Sequence, residues 1–212
     1  MSRRAGSLAA LLAVLLVVSL GCGGGLKTIG KDGYRAILSF SETERFPVAV
    51  RGEWQRVEAM EGVQGGPVVK IMRPDLKKIW QFRPGTKRLL ETAWQQTDEI
   101  VPGYPLEPNF DPQAYADRFG GQIRKIADAI HGLHPCDRWE MRLPSSDIVT
   151  IWAARDLERL VVRIEHAKKD DKDEYQPFQS TELLDVRTGA DEKLFEMPRG
   201  YSAVKTYDDL FK

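Results

Sequence analysis

The chain has 212 residues, of which 42% are hydrophobic and 29% charged, with 31 Lys and Arg against 31 Asp and Glu. Such a near-neutral balance excludes nucleic acid as the partner, because binding to phosphate needs a basic surface. The length suffices for one domain that buries about 70% of its unfolded surface and holds together by packing.

Arg3 and Arg4 precede an uncharged apolar run over residues 8–20. That run falls short of the roughly 20 residues a membrane-spanning helix needs, and fits the apolar region of a signal peptide. It ends Ser19-Leu20-Gly21-Cys22, where a small residue stands directly before a cysteine. The pattern resembles the lipobox of bacterial lipoproteins, although Ser19 stands where the family has leucine three places before the cysteine. The resemblance implies cleavage before Cys22 and palmitate-type acylation of that residue. A plain signal peptide with an incidental cysteine is the alternative. Acylation of Cys22 would leave Cys136 as the one thiol, with no intrachain disulfide. Gly23, Gly24 and Gly25 open a flexible tether that runs to residue 33. Gly23 is not the aspartate that retains some lipoproteins at the inner membrane, so the expected location is the outer membrane, facing the periplasm.

From Tyr34 the apolar residues recur at a period near two, the mark of a half-buried strand. Strands are expected over 34–40, 68–72, 77–82, 86–92, 137–143, 148–154, 160–166 and 180–187. Arg73-Pro74-Asp75 and Arg83-Pro84-Gly85-Thr86 carry turn chemistry and give two consecutive hairpins. The charged run over 168–174 reads as the solvated loop of a long hairpin. One helix is marked: Asp111 caps it, Pro112 sits where no N–H is lost, and Gly120-Gly121 ends it. The next stretch, "IRKIADAIHGL", fits either a helix face or a strand leading into a turn, and is assigned as strand.

The segment "VVKIMRPDLKKIWQFRPGTKRLLE" (68–91) resembles the core signature of a family of exported proteins of unknown function related to the LolA/LolB-like lipoprotein carriers. The shared features are Arg73-Pro74-Asp75, a strand with Trp80, a proline turn and a strand ending in Glu91. "HGLHPCDRWEMRL" is similar to that family's aromatic strand entry, through Gly132, Cys136 and Trp139. "LFEMPRGYSAV", with Leu194, Phe195, Pro198, Gly200 and Tyr201, is similar to its closing element. The resemblance implies a mainly β (α+β) fold, a curved antiparallel β-barrel that does not close, with short helices on the concave side. The expected organisation is a signal peptide over 1–21, the lipidated Cys22 and its tether over 22–33, and one LolA/LolB-like domain over 34–212.

A curved sheet of amphipathic strands has to hide its apolar face, and one short helix cannot cover all of it. Trp54, Trp80, Phe82, Trp139, Met141, Trp152 and Phe178 are unusually large side chains for strand positions. They either fill a core or line a cavity for an acyl chain. In the cavity reading Trp80 and Phe82 share one side of a strand, Trp139 and Met141 one side of another, and both pairs line a single pocket. Catalysis is not expected. His131, His134 and Cys136 have metal-like spacing but no fourth ligand nearby, no nucleophile elbow or phosphate loop is present, and Glu53, Glu58, Glu61 and Glu91 read as surface carboxylates. No cofactor and no metal are expected. The expected function is an envelope lipoprotein that binds a lipid or the lipid moiety of a lipoprotein. The alternative is a structural or protein-interaction lipoprotein with a filled core and an envelope protein as partner.

Overall fold

The alternating segments assemble into one sheet. The computed structural model describes residues 29–59 and 66–212, so the apolar run and Cys22 lie outside the described residues, as does Glu61. The strands are β1 (Tyr34–Ser39), β2 (Arg45–Arg51), β3 (Trp54–Ala59), β4 (Val68–Arg73), β5 (Lys78–Arg83) and β6 (Arg88–Ala93), then β7 (Gln122–His131), β8 (His134–Arg142), β9 (Ile148–Ala154), β10 (Leu160–Lys169), β11 (Tyr175–Thr188) and β12 (Ser202–Val204). Their order is β12-β6-β5-β4-β3-β2-β1-β11-β10-β9-β8-β7. Two meanders are thus joined where β1 pairs with β11, and β7 and β12 stand unjoined at the ends of a curved sheet. Every neighbouring pair is antiparallel except β12 with β6, which is parallel.

The ambiguous stretch after the helix forms β7, and Asp170–Glu174 closes the β10–β11 hairpin as expected. The single α-helix, α1 (Pro112–Phe119), begins as its sequence requires: Asp111 Oδ1 accepts from Gln113 N at 2.9 Å and Ala114 N at 3.1 Å. Gly120 ends it in the left-handed conformation at φ 65°. At the entry to β1, Gly33 has φ 67° and passes so close to β2 that a Cβ would meet Val50 O at 1.9 Å. Only glycine fits there.

Most of what covers the concave side is irregular chain rather than helix. Residues 94–111 cross it, burying Ile100, Val101, Tyr104, Leu106 and Phe110 against Tyr34, Leu38, Val48, Val50, Val57 and Met72. Polar side chains satisfy this segment's backbone, since a buried loop cannot leave its carbonyls unpaired. Tyr34 Oη donates to Leu106 O at 2.7 Å and Lys70 Nζ to Glu99 O at 3.4 Å, while the segment's own Tyr104 Oη donates to Val161 O of β10 at 2.8 Å.

The other face of β2–β6 is also covered. Residues 190–201 run across it and bury Phe195 and Ala190 with Ala49, Val69, Ile71, Trp80, Phe82 and Leu89. Three arginines grip that strap by its carbonyls. Arg51 Nη1 donates to Ala190 O at 3.0 Å, Arg56 Nη1 to Leu194 O at 3.0 Å and Arg73 Nη1 to Phe195 O at 3.2 Å. The Arg73 guanidinium also lies 3.9 Å from the Trp54 ring centroid and is forked onto Asp75.

Candidate functional site

The inner face and the crossing chain leave a space between them. A cavity of about 230 Å³ lies between residues 102–104 and α1 on one side and strands β8 to β11 on the other. Its floor is set by register. Met141 pairs with Val149, Val149 with His166 and His166 with Gln179, while one row over Ile164 pairs with Thr181. Its roof is set by the helix period: Tyr115 and Phe119, four residues apart, point to the same side, with ring centroids 4.9 Å apart. Phe110 extends the stack at 5.5 Å from Tyr115. Tyr115 Oη donates to Gly103 O at 2.8 Å, which ties helix to loop and spends the one polar atom that would otherwise face apolar surroundings.

The site is uncharged at neutral pH. Burial pushes the Tyr115 phenol up to about 12 and the Tyr104 phenol well above its ordinary value. Burial also lowers the His166 imidazole, against a smaller opposing pull from Asp147. With Gln179 and Thr181 as its polar groups, the cavity favours an apolar guest anchored by few hydrogen bonds.

Of the residues singled out in the sequence, Met141 lines this cavity and is 1% exposed. Trp139, two places earlier on β8, packs into the same inner core without lining the cavity. Trp80 and Phe82 lie on the opposite face. Trp80 Nε1 donates to Glu91 Oε2 at 2.9 Å, and the Phe82 ring stands edge-on to Tyr201 at 5.2 Å, under the strap. The two pairs therefore do not share a pocket, which corrects the expectation. Period two places Trp80 and Phe82 on one side but cannot say which. On β5 both sides are apolar, since Ile79 faces inward. Phe40, Tyr104, Tyr115, Phe119, Val149, Ile164 and His166 were missed. The i, i+4 aromatics of α1 and the alternation of Ile164 with His166 were signals that could have found some of them.

The polar groups considered for chemistry have other occupations. Cys136 is fully buried, its Sγ donating to His134 O at 3.4 Å, and burial pushes the thiol up to about 11, far from a reactive thiolate. His134 Nδ1 lies 2.9 Å from Asp156 Oδ2, and His131 Nε2 lies 3.9 Å from Glu182 Oε2. Among the described residues, no three His, Cys, Asp or Glu side chains are grouped to hold a metal, and no helix is long and apolar enough to cross a membrane. Glu58 takes the Arg56 guanidinium, and Glu91 pairs with Lys78 at 2.8 Å.

No family model matches the chain, and no curated protein matches it. Solved structures do. An uncharacterized conserved protein from Thermus thermophilus aligns with a TM-score of 0.52 at 11% identity, covering 84% of this chain and 93% of that one. A LolA superfamily protein from Nitrosomonas europaea aligns with a TM-score of 0.31 at 10% identity, over 79% of this chain and 91% of its own. A DUF1329 family protein from Desulfovibrio piger gives 0.32 at 10% identity, over 78% and 90%. The likeness to the Thermus protein is one of fold.

Proposed function

We propose that this chain is an envelope lipoprotein, tethered through acylated Cys22, whose curved sheet binds an apolar moiety without catalysing a reaction. The observation that carries the reading is the uncharged cavity of about 230 Å³ between the inner face and the 102–119 segment. An apolar cavity of ~150 Å³ takes up benzene, while sites for drug-sized ligands run from ~300 Å³ upward. The cavity therefore suits a stretch of one acyl chain, from a lipid or from the lipid moiety of a lipoprotein, rather than a whole diacyl lipid. The 68–91, 131–143 and 194–204 segments resemble an exported family of unknown function related to the LolA/LolB-like carriers, a relationship of fold that is consistent with the same reading.

In this reading residues 1–21 are removed, 22–33 form the lipidated tether and 34–212 form the binding domain. The outer membrane, on its periplasmic side, is the proposed location, because Gly23 is not an inner-membrane retention signal. A second reading, a protein-interaction lipoprotein, is favoured by one feature. Ile130 and Leu133, at the tip of the β7–β8 hairpin, are 79% and 93% exposed.

The test is mass spectrometry of lipids extracted from protein purified without residues 1–22. A co-purifying single-chain lipid, lost when Val149→Trp fills the cavity, supports the carrier reading. Lipid-free protein that binds no acyl probe at micromolar concentration leaves the interaction module standing.

A further inference from the structure

The outer face carries a second, different concavity. A groove of about 290 Å³ runs over β11, β1, β2 and β3 beside the strap. Its floor is apolar, made by Ile37, Pro47, Ala49 and Leu194. One end is not. Arg35 on β1 pairs directly with Arg187 on β11, so two like charges stand opposite each other in an antiparallel pair. Cross-strand neighbours of equal charge destabilise a sheet. Among the described residues neither guanidinium has a carboxylate within 4.0 Å, and Arg35 Nε donates to Gly189 O at 3.2 Å.

The neighbouring arginine shows what compensation looks like. Arg56, in the same groove, is neutralised by Glu58 with contacts of 2.7 and 3.1 Å. Asp185 is the carboxylate placed to do the same for Arg187, yet a bulge intervenes. The register jumps from Arg35↔Arg187 to Ile37↔Leu184, and Asp185 is turned into the left-handed region at φ 52°. Bulges of this kind re-aim side chains beside binding sites. Two adjacent guanidinium forks with no carboxylate partner among the described residues, at the head of an apolar floor, describe a receptor for an oxyanion with a tail.

We propose that this groove binds a single-chain anionic amphiphile, its carboxylate or phosphate head held between Arg35 and Arg187 and its chain laid along Ile37, Pro47, Ala49 and Leu194. The site is separate from the inner cavity, on the other side of the sheet. It selects for charge where the inner cavity selects against it.

The test uses calorimetric titration of protein lacking residues 1–22 with decanoate, decylphosphate and inorganic phosphate below their micellar concentrations. Backbone amide shifts locate each binding event. The expected result is binding of at least one decyl anion with shifts at residues 35–37, 48–49 and 185–187. Arg35→Ala and Arg187→Ala each weaken it at least tenfold, and Arg187→Lys weakens it less. The stronger of decanoate and decylphosphate identifies the head as carboxylate or phosphate. Unliganded Arg187→Ala melts no lower than wild type, because the substitution removes a repulsion. Inorganic phosphate binding as tightly as decylphosphate would overturn the amphiphile reading, and so would decyl anions that bind only with shifts at Tyr104, Met141 and Val149, or not at all.

Discussion

The two halves of the sheet are built on different plans. In β4 and β5 the apolar residues do not alternate: Val68, Val69, Ile71 and Met72 are buried on one strand, Ile79, Trp80 and Phe82 on the next. Both faces are covered there, by the crossing chain inside and the strap outside. The β7–β11 half is one-sided. Its inner rows bury Met141, Val149 and Ile164, while its outer row runs Arg138, Trp152, Arg163, Glu182 across four strands. Arg163 stacks at 5.0 Å from the Trp152 ring and bridges Glu165 and Glu182 at 2.6 and 3.0 Å. Charges on an outer face keep it soluble and contribute little stability. The difference places the inner cavity against the half whose outer face is solvated.

The largest expected effect breaks the covered half. Trp80→Ala removes a buried indole under the strap and one of the two donors to the Glu91 carboxylate, which Lys78 and Trp80 hold below the usual carboxylate range. It should cost ~3–5 kcal/mol, read as a lower urea midpoint, with acyl-probe affinity unchanged wherever the protein remains folded. Probe binding that disappears while stability is retained would place the ligand on the wrong face. In the one-sided half, Phe119→Ala removes a half-buried cavity wall. A cost of about 1 kcal/mol in stability is expected, together with a roughly tenfold loss of affinity for an uncharged acyl probe.

His166 sharpens the comparison through pH. Burial lowers its folded-state pKa below the ordinary value of about 6.5, so the unfolded chain takes up the proton first as pH falls. The stability tied to the neutral imidazole is complete above about 6.5 and is lost on acidification from there down through the folded-state value. Protonation also puts a charge into the cavity, so the acyl probe should be released over the same range. His166→Gln should flatten both profiles between pH 7 and 5. His131, also lowered by burial, and Glu107, raised by burial and therefore opposite in sign, titrate in both proteins. The difference between the two profiles isolates His166. The smallest effect is at the hairpin tip, where Leu133→Ser should change stability by no more than ~0.5 kcal/mol. A larger loss would mean that the exposed tip packs in solution.

These two plans also decide what could be read from the sequence. Strands β9 and β10, amphipathic and bounded by turn chemistry, were legible, as was the Asp111 cap of α1. Strands β2 and β3 were not marked, and Pro47 on β2 argues against a central strand. It is tolerated because the β2–β3 ladder begins only at Val48. Strand β12 has three residues and exists through its pairing with β6, a tertiary fact without local signal. The same holds for residues 94–111, whose apolar residues follow no period. They form half of the cavity, so its roof was hidden while Met141 on its floor was found. Alternation fixes which residues share a face, and only the covering segments tell inside from outside.

The most direct test of the central claim is photo-crosslinking with an uncharged, diazirine-bearing acyl ester, followed by peptide mapping. The inner-cavity account predicts adducts within residues 102–119 and 141–149, reduced by competition with an unlabelled acyl ester. Adducts concentrated at 80–82 and 195–201, or none at saturating probe, would contradict it.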